Sequence, residues 1–249
     1  MKGIQLKLEF PGEGDDRFED FLVAKENKEA YEICRRFASL EMGDSYSLVI
    51  HGPSHSGKTH LLKAMAKKAS DIVGAKSSVY LDCGRLAGED LKRDSHGRLE
   101  EYLKAMESAR FLALDRLEEV SGNEGAASLI FHLYNEVKRK QNGRFAAATR
   151  LQPSQWAFPE WLNTRLLWGQ VAHAGQVGDD ELPEMLVKMA AGMQMTLPPQ
   201  AAGWLANHLT RDLESLRDVL VKVDHLSLTT GRKVSIPLIK EAIGYSDDS

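Results

Sequence analysis

Gly52-Pro53-Ser54-His55-Ser56-Gly57-Lys58-Thr59 follows the pattern G-x-x-x-x-G-K-[ST]. Consecutive backbone N–H groups in such a loop can wrap a phosphate. Glycines permit the close approach, and the helix behind adds the positive end of its dipole. Lys58 is placed to reach the β- and γ-phosphates of a nucleotide, and the Thr59 hydroxyl to ligate Mg²⁺. A second metal ligand, a carboxylate, is expected at the end of a buried strand. Asp115, which closes the apolar run Phe111-Leu112-Ala113-Leu114, takes that position.

These residues need a strand–loop–helix frame to hold them. Residues 47–51 read as a buried strand running into Gly52, and a helix is expected over about 58–69. Another helix is expected upstream, over 28–40. Further strands fall at 78–82, 111–114, 145–149 and 170–173, with helices over 99–108 and 126–140. Strands alternating with helices imply a mostly parallel sheet with helices on both faces. Beyond about residue 175 the strand signals stop, and 181–191, 199–208, 211–228 and 237–243 read as helices. Leu209, Leu213, Leu216, Leu220 and Val223 recur at helical spacing, while Pro199 and Pro237 fit a first helical turn. The expected plan is an α/β domain over 17–175 and a small all-α domain over 176–249. A patterned segment and an acidic Pro/Gly linker (residues 1–16) precede them.

Composition limits the functions available. A chain of 249 residues with 43% hydrophobic side chains can bury one large core, or one core and a satellite. A net charge of −4 argues against duplex DNA as the main ligand, so DNA is expected only indirectly, through partners. Lys138, Arg139, Lys140 and Arg144 read as a solvated basic face at a helix end. Cys34 and Cys83 are too few for a disulfide framework, and the eight histidines show no ligand spacing. With no signal peptide and no membrane-length apolar run, the chain reads as cytoplasmic, with no membrane partner.

Gly57-Lys58-Thr59-His60-Leu61-Leu62 resembles the P-loop of the bacterial replication initiator DnaA and its relatives. Arg17-Phe18-Glu19-Asp20-Phe21-Leu22-Val23, with Asn27 and Ala30, resembles the block that opens their AAA+ domain near the adenine. Similarity is closer still to the Hda branch, DnaA paralogues that promote hydrolysis of DnaA-bound ATP. It runs through Phe131-His132-Leu133-Tyr134-Asn135 and Arg165-Leu166-Leu167-Trp168-Gly169-Gln170. It continues in Gly231-Arg232-Lys233-Val234-Ser235-Ile236-Pro237 with Ile239-Lys240-Glu241, so that the whole covers roughly 17–243.

The resemblance implies an AAA+ P-loop α/β domain followed by a small all-α lid. ADP or ATP with Mg²⁺ is then expected on Phe21, Val23, Asn27, the loop residues Gly52 to Thr59, and His60, with Thr59 and Asp115 on the metal. Thr149 matches sensor 1, beside the γ-phosphate; by itself it is equally a strand-end threonine. Arg165 matches the arginine finger offered to a neighbour's nucleotide, and Arg211 the sensor-2 contact to the chain's own. One departure matters. Hydrolytic AAA+ proteins place a water-polarising acid directly after the Walker-B aspartate, and this chain has Arg116 there. Glu118 and Glu119 lie beyond the strand end and read as solvated, so intrinsic hydrolysis is expected to be weak or absent.

Gln5-Leu6-Lys7-Leu8-Glu9-Phe10 fits Q-x-x-L-x-F and is similar to peptides that dock on the DNA polymerase sliding clamp. Leu8 and Phe10 would anchor in an apolar pocket while Gln5 bonds at its rim. The implied role is a nucleotide-bound regulator that docks on the clamp and turns over DnaA-bound ATP, negatively regulating initiation. One rival is a DnaA-like initiator or loader ATPase acting on DNA itself. The expected stop at Ser249 leaves no helix-turn-helix domain for origin binding. Another rival is a nucleotide-gated adaptor that binds DnaA without stimulating hydrolysis. Self-assembly into homo-oligomers stays open.

Overall fold

The computed structural model describes residues 16–39, 45–85, 104, 106–210 and 212–245. Gln5, Leu6, Leu8, Phe10 and Arg211 lie outside the described residues. So does most of the helix expected over 99–108, of which Lys104 and residues 106–108 are helical.

Five strands form one parallel sheet: β1 (Ser47–His51), β2 (Ser78–Asp82), β3 (Phe111–Asp115), β4 (Arg144–Thr149) and β5 (Gln170–His173). Their order is β2-β3-β4-β1-β5, so β1 lies between β4 and β5, with His51 registered against Thr149 on one side and His173 on the other. The short apolar runs reflect burial on both faces. Leu48, Ile50, Phe111, Ala113, Ala146 and Ala148 point to one face, which α1 (Lys28–Ala38) and α2 (Lys58–Val73) cover. Val49, Leu112, Leu114, Phe145 and Ala147 point to the other, under α3 (Glu124–Arg139) and α4 (Glu160–Leu167). Each buried Leu or Phe contributes about 1.5–3 kcal/mol, so this two-sided core is the main support of the strand ends.

Helix α4 is an element that the periodicity does not reveal. It has eight residues, begins directly after Pro159, and buries only Leu162 and Leu166. Two apolar contacts over two turns are too few to set a period. The basic cluster also departs from expectation. Arg144 is the first residue of β4 and only 8% exposed, with its guanidinium over the Phe37 ring. Lys140 donates 2.8 Å to the Ala109 carbonyl, and Lys138 lies over the rings of Tyr46 and Trp168. Lys138 and Arg139 are exposed as expected, whereas Lys140 and Arg144 are not, so the four cations do not form one solvated face.

A second compact unit comprises Ala24–Glu26 and the residues from Val177 onward. It contains α5 (Leu182–Gly192), α6 (Pro199–His208), α7 (Leu213–Thr230) and α8 (Ile236–Ile243). Asp212 caps α7 by accepting from Ser215 N at 3.1 Å, so Leu209 belongs to the end of α6 and not to the α7 stripe. Leu216, Leu220 and Val223 are buried as their spacing requires. None of the described helices is long and apolar enough to cross a membrane.

Candidate nucleotide site

The C-terminal ends of the parallel strands gather the polar residues that the apolar runs deliver. Gly52 follows β1, Asp82 ends β2, Asp115 ends β3 and Thr149 ends β4. Gly52 N donates to the Thr149 carbonyl over 3.3 Å, tying the loop to its neighbour strand. In open α/β sheets this edge, outside the carboxyl ends of the strands, is where ligands bind.

Two glycines of the loop have specific steric reasons. Gly52 has φ +155°, and a Cβ there would overlap the carbonyl oxygen of Ala174, just after β5. Gly57 has φ +83°, and a Cβ would come within 2.6 Å of the Phe21 ring. His55 is also left-handed, at φ 60°. Non-glycine residues of this kind persist only where their surroundings hold them, often at functional loops. Gln176 Nε2 donates 2.6 Å to the Ser54 carbonyl and steadies the loop from outside.

Lys58 opens α2 and is only 8% exposed. Its ammonium donates to the Pro53 carbonyl at 2.6 Å and the Ser56 hydroxyl at 3.2 Å. Burial lowers its pKa below the ordinary lysine value, and the charges of Glu118 and then Asp115 pull it back up. A buried ammonium bonded to its own loop is matched to a phosphate oxygen, which offers a stronger, charged acceptor. Thr59 is exposed one residue on.

Asp115 is buried, accepting from the Tyr80 hydroxyl at 2.8 Å and from Arg116 N at 2.9 Å. Tyr80 is a member of the site that no motif marks. Hydroxyl and carboxylate oxygens, as on Thr59 and Asp115, are the hard donors Mg²⁺ prefers, with phosphate and water completing its shell. Among the described residues no group of three or more His, Cys, Asp or Glu is arranged to hold a metal ion.

Arg116 is left-handed at φ 51°, and its side chain turns onto Asp82, with Nε donating 2.7 Å to Oδ1 and Nη2 paired to Oδ2. That guanidinium occupies the space a side chain at Gly84 would need. Glu118 corrects the expectation of a solvated residue: its side chain is 6% exposed. It accepts from Arg150 Nε at 2.6 Å and Arg150 N at 3.1 Å, and from the Thr149 hydroxyl. Glu119 is the more exposed of the pair and meets the same guanidinium at 3.1 Å.

The opening block lies against the start of α2. Phe21 stacks on Tyr31 with centroids 5.6 Å apart and tilts against His60 at 5.4 Å. The His60 Nε2 bonds the Arg17 carbonyl at 2.8 Å. Asn27 is buried and donates to the Leu22 carbonyl at 3.2 Å, while Val23 is exposed. Arg165 lies elsewhere, in the last turn of α4. Its guanidinium is 4.1 Å from the Trp168 ring centroid and 5.8 Å from that of Phe131. Trp168 is 59% exposed, and Trp161 and Leu167 beside it are exposed as well.

Comparisons with known proteins agree with this geometry. A sequence model of the bacterial DnaA ATPase domain matches residues 13–173, and one of the Hda lid domain matches residues 179–243. An uncharacterized protein of Haemophilus influenzae is 26% identical over 196 residues, covering 78% of this chain and 80% of that protein. Domain III from the Thermotoga maritima replication initiation protein DnaA superposes with a TM-score of 0.76 at 22% identity, covering 92% of this chain and 96% of that one. AMPPCP-bound DnaA from Aquifex aeolicus gives a TM-score of 0.72 at 19% identity, covering 90% and 68%. At such identities the structural likeness shows the fold.

Proposed function

This chain belongs to the DnaA family of AAA+ ATPases and carries a lid of the Hda type, and from this we propose that it is a nucleotide-bound regulator of replication initiation. ADP or ATP sits on the loop 52–59, with Lys58 on the phosphates and Mg²⁺ held by Thr59 and Asp115. Phe21, Val23, Asn27 and His60 serve the base, Thr149 senses the γ-phosphate, and Arg211 is the residue that matches sensor 2. The nucleotide acts as a fixed part of the fold more than as fuel, because Arg116 stands where a water-polarising acid is needed.

The activity is exerted on a partner. Residues 5–10 dock on the sliding clamp through Gln5, Leu6, Leu8 and Phe10, and Arg165 enters the site of DnaA-bound ATP. The observation that carries this reading is the setting of Arg165. Its charge rests on aromatic faces at the end of a short helix, with exposed Trp161, Leu167 and Trp168 around it. Aromatic side chains beside an arginine are the residue types that dominate interface energetics. An arginine delivered in trans supplies transition-state charge worth about 10³–10⁵ in rate.

DnaA-ATP turnover, with and without this protein on DNA-loaded clamp, is the test. The expected result is faster conversion to DnaA-ADP that needs both the clamp and Arg165. Binding to DnaA with no change in turnover would establish the adaptor reading in its place.

A further inference from the structure

We propose that Glu118 is the water-orienting carboxylate of this nucleotide site and that Arg150 holds it idle. The inference rests on the nucleotide-binding reading above and concerns the chain's own site, not the partner's.

The backbone explains how a residue three positions past Asp115 returns to the site. The left-handed turn at Arg116 leads into a 3-10 turn, Leu117–Val120, whose Leu117 and Val120 are buried. Those anchors hold Glu118 on the inner side of the turn, against the end of β4. There it meets Thr149 and Arg150, and its negative charge acts on Lys58 more strongly than that of Asp115. Arg116, adjacent to Asp115 in sequence, is directed to Asp82. A shielded carboxylate that bonds the sensor-1 threonine and whose charge reaches the P-loop lysine is thus supplied by Glu118.

In the clasped state this carboxylate cannot serve a water. One oxygen accepts from Arg150 Nε and the other from Arg150 N. A carboxylate so held is a weak proton acceptor. The two partners differ in freedom: Arg150 is 54% exposed and Glu118 6%. Release therefore means the Arg150 side chain swinging into solvent and freeing one oxygen, while the Arg150 backbone N–H keeps the other oxygen, and with it Glu118, in place. Once released, Glu118 takes a proton from water as the water oxygen bonds the γ-phosphorus of ATP. The bond from that phosphorus to the β–γ bridging oxygen breaks, and ADP leaves with the electron pair.

The test uses the full chain, with single-turnover hydrolysis of Mg²⁺-ATP and calorimetric titration of ADP and AMPPCP. R150Q is expected to raise hydrolysis by about tenfold or more, below the ~10²–10⁴ of a fully engaged general base because release is incomplete. It should also weaken AMPPCP relative to ADP severalfold, because an unneutralised carboxylate then faces the γ-phosphate. The double variant R150Q/E118Q should return both readings to the wild-type level. R150K, which keeps the charge without the planar fork, should move both in the same direction by less, and it decides the matter if R150Q does not melt cooperatively. Unchanged hydrolysis in a variant that binds ADP normally, or a gain that survives E118Q, overturns the proposal. Absence of ADP binding to the wild-type chain sinks the nucleotide reading instead.

Discussion

The Tyr134 hydroxyl, on α3, donates 2.8 Å to the carbonyl oxygen of Arg165, on α4, 31 residues away. Tyr46 contacts the same hydroxyl, and the Tyr134 ring packs on Phe145 with centroids 5.2 Å apart. The backbone that carries the Arg165 guanidinium is thus fixed from the core of the α/β unit. Tyr134→Phe keeps the ring and removes the donor. We expect a stability loss of about 1 kcal/mol in a denaturant melt. Stimulation of DnaA-ATP turnover should fall with ADP affinity unchanged. Full stimulation by a folded variant would show that the hydroxyl does not position the finger.

Arg165→Ala and the alanine triple at Gln5, Leu8 and Phe10 should fail in different ways. The first is expected to abolish stimulation and leave clamp binding intact, because in the proposed mechanism the guanidinium supplies transition-state charge and not docking energy. The second should lose clamp binding in surface plasmon resonance. Its stimulation should recover in part at higher protein concentration, since only local concentration is lost. Normal stimulation by the Arg165 variant ends the trans-finger reading.

Lys58→Ala removes a buried ammonium from the loop. Charge-assisted hydrogen bonds contribute about 1.5–3 kcal/mol, so ADP affinity should fall about 10- to 100-fold by calorimetry. Equal affinity in the two proteins would place the phosphates elsewhere.

Gly52→Ala meets a wall that cannot move, because the obstacle is the main-chain carbonyl of Ala174. Gly57→Ala meets only the edge of the Phe21 ring at 2.6 Å, although at φ +83°. Left-handed strain alone amounts to about 1–3 kcal/mol. Gly52→Ala should therefore lower the melting temperature more than Gly57→Ala. The reverse order would mean that the loop relaxes away from β5.

Glu118 gives the acid limb of stability a specific source. Burial acts to raise its pKa, but the backbone and Arg150 hydrogen bonds outweigh it and hold the carboxyl below its ordinary value. A carboxyl depressed in the folded state contributes stability that is fully present above the unfolded pKa. That contribution is lost as pH falls through the folded one. Chemical denaturation between about pH 6 and pH 3 should show a smaller decline for Glu118→Gln than for the wild-type chain. Identical slopes would assign the acid sensitivity to other carboxyls.

Local spacing alone determined the loop 52–59, the strands at 47–51, 78–82 and 170–173, Asp115 as a strand end, and the change from strands to helices near residue 175. Each of these is a pattern within a few neighbouring residues, and hydrophobic period and glycine placement act at that range. Tertiary structure decided the rest. Whether Glu118 is solvated depends on Arg150, 32 residues later. The direction of Arg116 depends on Asp82, 34 residues earlier. The burial of Arg144 depends on the Phe37 ring beneath it, and the demand for glycine at position 52 on the carbonyl of Ala174. Apart from Phe37, which α1 lays over the sheet, these residues meet because the strand order β2-β3-β4-β1-β5 sets side by side chain ends that are far apart in sequence. The chain encodes that order through the summed burial of two sheet faces, and no short run of residues carries it.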